Sequence, residues 1–282
     1  PNSPGSNSTG PQLERLLTLL IELRDEDTVV AITQQLADQA AARGDGRAQR
    51  QYLTDLGETY LDWFEFDQAA TVYEQLVEDV ASRQPSAPEQ AQQLLQQLIY
   101  SYQQSERYAD AIPYQQRLLG LYREAMLPES EVALAIAIAR NYRALANYSR
   151  AIEYYQLAYR TAQQLEQYGY SSTVLQDLGA LYRDLDQPRD AIAMYNLLIR
   201  VEQQSYNHYG ILLAYDQLGQ LYRILADPDN ALVAFRAGLA FAEALDYRQD
   251  YFQTQITELE SSNPAPTTSR FPPRYPRNRT HS

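Results

Sequence analysis

Tyrosines recur at Tyr60, Tyr102, Tyr142, Tyr182 and Tyr222, spaced by 42, 40, 40 and 40 residues, and the residues around them recur in phase. Leu56-Gly57, Leu178-Gly179 and Leu218-Gly219 stand just before three of them. An alanine follows each tyrosine by nine residues (Ala69, Ala111, Ala151, Ala191, Ala231), and four residues further on comes Tyr73, Tyr155, Tyr195 or Phe235. Leu, Gly and Tyr at i, i+1 and i+4 belong to one helix; the small alanine lets a second helix approach it closely, and the later aromatic fills the space between copies. A helix pair of this size cannot bury its apolar face alone, so the copies must stack into an array.

Composition narrows what such an array does. The 282 residues are 45% hydrophobic at a mean hydropathy of −0.50, enough for a continuous core under a soluble exterior. No apolar run approaches the ~20 residues of a membrane span, because the richest stretch, Leu16 to Leu23, is short and interrupted by Thr18 and Glu22. A net charge of −13 disfavours nucleic-acid binding by the body, since nonspecific binding relies on neutralising phosphates. Charge is unevenly spread: residues 51–100 hold nine acids against Arg83 alone, and residues 263–282 hold four arginines and no acid. All 23 basic residues are Arg and Gln numbers 31, which reads as genomic or lineage bias. Without cysteine there is no disulfide, thiolate metal site or cysteine nucleophile, and the redox compartment stays open. The polar start, Pro1 to Gly10, suits a disordered linker following a removed signal peptide or membrane anchor, and equally an arbitrary cut.

The pattern of Leu-Gly, Tyr, Ala and aromatic over residues 46–246 resembles the tetratricopeptide repeat. The resemblance implies an all-α fold, a right-handed superhelical solenoid of stacked antiparallel helix pairs. Its usual period is about 34, so 40 to 42 adds roughly one and a half turns per copy, as in the kinesin-light-chain-like branch. The early Trp of the pattern is replaced by Leu53, Leu95, Ala135, Leu175 and Tyr215, and the closing proline is missing. In the second copy Gln115 stands where the aromatic belongs and Pro113 sits early in the second helix, which predicts that this copy is the least regular. Asp227-Pro228 reads as an N-cap followed by Pro at the first helical position; Pro188 is its equivalent one copy earlier and Asn147 the matching cap in the third. Gln84 to Pro88, Leu127-Pro128 and Gly169 read as breakers between copies. Residues 11–45 read as a degenerate helical pair, Leu13–Leu23 and Thr28–Ala42, and 247–261 as a C-terminal capping helix with Tyr251, Phe252 and Ile256 facing the array. The basic Pro/Arg tail, 262–282, reads as disordered; it suits contact with an anionic surface or with the acidic patch of another copy.

The resemblance also implies a function, the capture of another protein as a peptide or helix in the concave groove lined by the first helix of each copy. Positions one after and two before the signature tyrosine face that groove in the family. Here they are Arg143, Arg183 and Arg223, then Arg140 and Gln220, with Tyr100, Gln103, Gln104, Glu58 and Asp62 from the earlier copies. Such a groove is acidic at its N-terminal end and arginine-lined further on, and the planar guanidinium fork suits carboxylates of a partner. The same arginines also suit ion pairs with neighbours such as Asp184, which would only support the stacking. Most of the 24 tyrosines fall at core positions; Tyr154-Tyr155 and Tyr168 near Tyr170 are the candidates for exposed anchors, and for a self-assembling scaffold using a convex aromatic surface, with a homo-oligomer as the outcome. Catalysis has little to work with. His208 and His281 are far apart in sequence, there is no phosphate loop, dinucleotide fingerprint or nucleophile elbow, and no metal or cofactor is implied.

Overall fold

The structure, a computed structural model, describes residues 10–23, 25–83 and 88–262. The polar start up to residue 9, the breaker segment 84–87 and the basic tail from residue 263 onward lie outside the described residues. The described residues form helices and no strand: α1 Gly10–Leu23, α2 Glu26–Ala42, α3 Gly46–Asp62, α4 Phe66–Arg83, α5 Pro88–Gln104, α6 Tyr108–Glu124, α7 Pro128–Ala144, α8 Tyr148–Gln164, α9 Tyr168–Asp184, α10 Pro188–Gln204, α11 His208–Ile224, α12 Pro228–Leu245 and α13 Gln249–Ser262.

From α5 to α12 each helix begins 20 residues after the last, so the forty-residue repeat is two half-repeats of a 17-residue helix and a three-residue connection, α12 alone being one residue longer. Each connection is built alike. Between α7 and α8, Ala146 adopts a left-handed φ of 56°, its N–H donates to the Arg143 carbonyl at 3.0 Å, and the N–H of Asn147 donates to the Tyr142 carbonyl at 2.8 Å. These two bonds satisfy carbonyls that the helix end leaves open. Phe64, Glu106, Met126, Glu166, Asp186, Tyr206, Ala226 and Asp246 hold the same left-handed position, and Gly44 is the one glycine among them. The next helix then starts at once. Asp227 accepts from the Asn230 N–H at 3.1 Å with Pro228 as first helical residue, whereas Leu127 and Gln187 precede Pro128 and Pro188 without any side-chain cap bond. Gly169 does not separate copies: it lies in the first turn of α9, and the break falls at Glu166-Gln167.

The chain divides into two compact units, Pro1–Thr161 and Ala162–Ser282, with the division inside α8. In the first unit each helix from α1 to α7 packs on the next, and neighbours joined by such short connections run antiparallel. Its core holds Leu53, Leu56, Tyr60, Tyr73, Leu95 and Tyr102. In the second unit α9 to α13 pack in the same sequential way, and Phe252 and Ile256 of α13 are buried with Leu212, Ala231 and Phe235. Left-handed residues at Asp246 and Arg248 turn the chain between α12 and α13.

The Leu-Gly of the repeat is a socket for the aromatic. A Cβ on Gly57 would stand 2.8 Å from the Tyr73 ring, one on Gly179 2.8 Å from Tyr195, and one on Gly219 2.5 Å from Phe235. Phe252 sits against Gly238 in the same manner, which carries the packing rule one helix beyond the last copy. In the second copy both partners change together: Ile99 takes the glycine's place and Gln115 the aromatic's. Gln115 is fully buried, its Oε1 accepting from Asn141 Nδ2 at 2.9 Å. Pro113 leaves the boundaries of its helix untouched, since α6 runs unbroken over 17 residues with Pro113 exposed. The irregularity of the second copy is therefore in its packing.

Candidate binding site

Helical spacing brings the residues facing one side of each first helix into clefts between successive first helices, floored by the second helix between them. In the first unit α5, α6 and α7 enclose about 320 Å³, with Gln96, Tyr100 and Gln103 on one wall, Ala133 and Ala137 on the other, and Gln115 and Leu118 in the floor. In the second unit α9, α10 and α11 enclose about 350 Å³, with Gln176, Ala180 and Arg183 facing Leu213 and Gln217 over Tyr195 and Leu198. Eight lining positions correspond at an offset of 80, from Gln96 and Gln176 to Ala137 and Gln217. A third cleft, of about 590 Å³, lies between α1 and α3, where Leu17 and Ile21 face Asp55, Glu58 and Asp62.

The sequence-derived residues fall into these clefts unevenly. Glu58 and Asp62 are together in the α1/α3 cleft, Tyr100 and Gln103 in the α5/α7 cleft, and Arg183 in the α9/α11 cleft. Gln104 is the exposed last residue of α5; Arg140 and Arg143 lie on α7, exposed and half-buried, and neither is without a partner. Arg183 donates from Nη1 to Gln217 Oε1 at 2.9 Å, tying α9 to α11, and reaches the Asp184 carboxylate at 3.4 Å. Arg223 makes the equivalent link onward, donating to Gln255 Oε1 of α13, with Glu258 at 3.5 Å.

Gln220 is occupied within the fold. It donates to the Tyr251 hydroxyl at 2.6 Å, which in turn donates to Asp216 at 2.6 Å, while Arg248 pairs with the same carboxylate at 3.0 Å and lies 4.1 Å over the Tyr251 ring. Burial and the bond to Asp216 raise the Tyr251 hydroxyl above the usual phenol range. This network fastens α13 onto α11.

Sequence reasoning passed over Asp55, Asp177 and Gln217, which line the clefts five residues before the signature tyrosines. The signal was available: position −5 precedes −2 by three residues and +1 by six, so all three lie on one helical face. The tyrosines singled out as exposed anchors are not exposed. Tyr155 is fully buried; Tyr154 is half-buried, stacked on Tyr142 with centroids 5.6 Å apart, and Tyr168 and Tyr170 are half-buried. Tyr206, at a left-handed helix end, is 85% exposed instead. No described helix is long and apolar enough to cross a membrane, and no cluster of potential metal ligands occurs among the described residues.

With this geometry in hand, comparison with solved structures defines the class. The chain superposes on BtubC (BKLC) from P. vanneervenii at TM-score 0.51 and 17% identity, covering 96% of this chain and 97% of that one. It superposes on a putative kinesin light chain from Podosopora anserina with nearly identical TPR-like repeats at TM-score 0.52 and 16% identity, covering 69% and 95%. The apo form of RapI matches at TM-score 0.58 and 15% identity, covering 91% and 71%. No family model matches the sequence, and no curated protein shows significant similarity to it. The chain has the fold of tetratricopeptide-like repeat proteins, helix pairs packed consecutively.

Proposed function

We propose that this chain is a non-catalytic scaffold that holds a peptide or helix of another protein in the clefts between its first helices. The observation that carries the reading is the recurrence of one cleft, with eight lining positions in common, 80 residues apart in sequence on α5/α7 and α9/α11. A cleft of this make-up within each unit suits a peptide or a helix, whose side chains recur at intervals that meet the cleft walls. Arg183 supplies the recognition of charge. In the unbound protein its guanidinium is spent on a neutral amide, Gln217, and an exposed carboxylate, Asp184, and a partner carboxylate offers a stronger charge-assisted bond than the amide. Arg143 and Arg223 occupy the same position after their tyrosines and are assigned the same role.

The test replaces Arg143, Arg183 and Arg223 together with Ala and measures capture of a partner first obtained by affinity purification from the native host. Folding by circular dichroism is expected to be retained and capture lost, with wild-type capture weakening as salt rises. Capture unchanged in the triple variant overturns the role of the arginines. A light-scattering series separates this reading from self-assembly: the scaffold keeps a constant mass with concentration, and a rising mass would favour the assembling alternative.

A further inference from the structure

Helix α13 packs on α12 and bonds to α11 through side chains, which leaves its outer side open. That side is grooved. About 490 Å³ is lined by Asp250, Gln253, Thr254, Thr257, Glu258 and Ser261, all exposed and all turned away from the buried Phe252 and Ile256. The hydroxyls of Thr254, Thr257 and Ser261 donate to carbonyls of their own helix, so the only charges in the groove are two carboxylates. Asp250 makes no ion pair among the described residues, and Glu258 shares Arg223 at 3.5 Å. Just before α13, Tyr247 stands 43% exposed beside Tyr209, 48% exposed, with ring centroids 5.6 Å apart.

The residues that follow Ser262 complement this face in charge and in length. Positions 263–282 hold Arg270, Arg274, Arg277 and Arg279, no acid and five prolines. Proline at this density favours the polyproline helix, which advances ~3.1 Å per residue against ~1.5 Å for the α-helix. Arg270 and Arg274 are then ~12 Å apart, and the eight helical positions from Asp250 to Glu258 span the same ~12 Å. The stretch from Ser262 to Arg270 is ample for a reversal of direction, because Glu258 lies only ~6 Å back along α13.

We propose that residues 270–275 fold back antiparallel along α13 and seat in this groove as a polyproline-like strand. Arg270 meets Glu258, Arg274 meets Asp250, and Tyr275 reaches the Tyr209–Tyr247 pair beyond Asp250. Carboxylates suit the guanidinium fork, and aromatic surfaces suit proline-rich chain. Seated so, the segment covers the open side of the last described helix, the kind of cap that a stacked array requires. The groove shares no residue with the α9/α11 cleft, so it stands whether or not a partner binds there.

Trypsin cleaves after arginine, so the segment reports its own exposure. The full chain and a free peptide of residues 263–282 are digested side by side, and cleavage after Arg270, Arg274 and Arg279 is followed by mass spectrometry. Cleavage after Arg270 and Arg274 is expected to be about tenfold slower in the full chain than in the peptide, with Arg279 cut equally in both. Raised salt, or Asp250→Asn with Glu258→Gln, is expected to bring both sites to the peptide's rate. Arg274→Gln, which leaves α13 untouched, is expected to do so for Arg270. Equal rates in wild-type chain and peptide overturn the docking, as does protection that neither variant releases. Protection that grows with protein concentration assigns the groove to the tail of a second copy and overturns the fold-back.

Discussion

The repeat's glycine is a packing residue. Gly219 sits in a helix interior, where alanine would ordinarily be favoured by about 1 kcal/mol, yet a methyl group there would stand 2.5 Å from the buried Phe235 ring. Gly120, also within a helix, has nothing within 4 Å of a built Cβ. The two positions therefore respond oppositely to one substitution. Gly120→Ala is expected to raise stability by about 1 kcal/mol, and Gly219→Ala to lower it by about 1–2 kcal/mol once overpacking exceeds the propensity gain, both read from urea midpoints. The glycine, the tyrosine and the aromatic were legible in the sequence because one side chain fixes the size of the next. The consequence of losing the pair in the second copy was not: Gln115 was visible as a misfit, but that its amide would be buried on Asn141, 26 residues away, depends on the packing of α6 against α7.

At the scale of the helix, the starts were more legible in the residues than the ends. Asp227-Pro228 and Pro188 declare their roles because a short carboxylate and a fixed φ are each the chemistry of a first turn. The ends carry no such mark, for Ala146, Ala226 and Tyr206 adopt a left-handed backbone that usually selects glycine, held there by the two carbonyl bonds of each connection. Ala226 has φ 54°, so Ala226→Gly is expected to stabilise by about 0.5–1 kcal/mol, the relieved backbone strain exceeding the added freedom of the unfolded chain. Gln187 offers the complementary gain. It precedes Pro188 as Asp227 precedes Pro228 but makes no cap bond, and Gln187→Asp is expected to add about 1 kcal/mol, seen as a higher thermal midpoint. The equal length of the connections, three residues throughout α5 to α12, is what converts a tyrosine spacing into a cleft spacing.

For the molecule as a whole, tyrosine chemistry sets the alkaline limit. Burial, with the neighbouring charge of Glu74, pushes Tyr102 up to about 12; burial raises Tyr73, and burial with donation to Glu74 at 2.5 Å raises Tyr114. These phenols are neutral when protonated and ionise more readily in the unfolded chain, near pH 10, than in the folded one. Their contribution is therefore complete below pH 10 and falls as the pH rises from 10 towards the folded values, so a denaturation series is expected to be flat near neutrality and to show a declining midpoint above pH 10. The repeating scaffold could be read from the period alone; which side chains the fold itself engages could not, because Gln220 and Arg223 bond to Tyr251 and Gln255 of α13, which lie outside the repeat.

Whether a partner lies in the clefts of the first helices can be read by site-specific photo-crosslinking. A photoreactive residue is placed at Gln176, exposed at the α9/α11 cleft, or at Val233, 66% exposed on the second helix α12, and each protein is irradiated with the purified partner. Position 176 is expected to give an adduct and position 233 none. An adduct from 233 with none from 176 would contradict that placement.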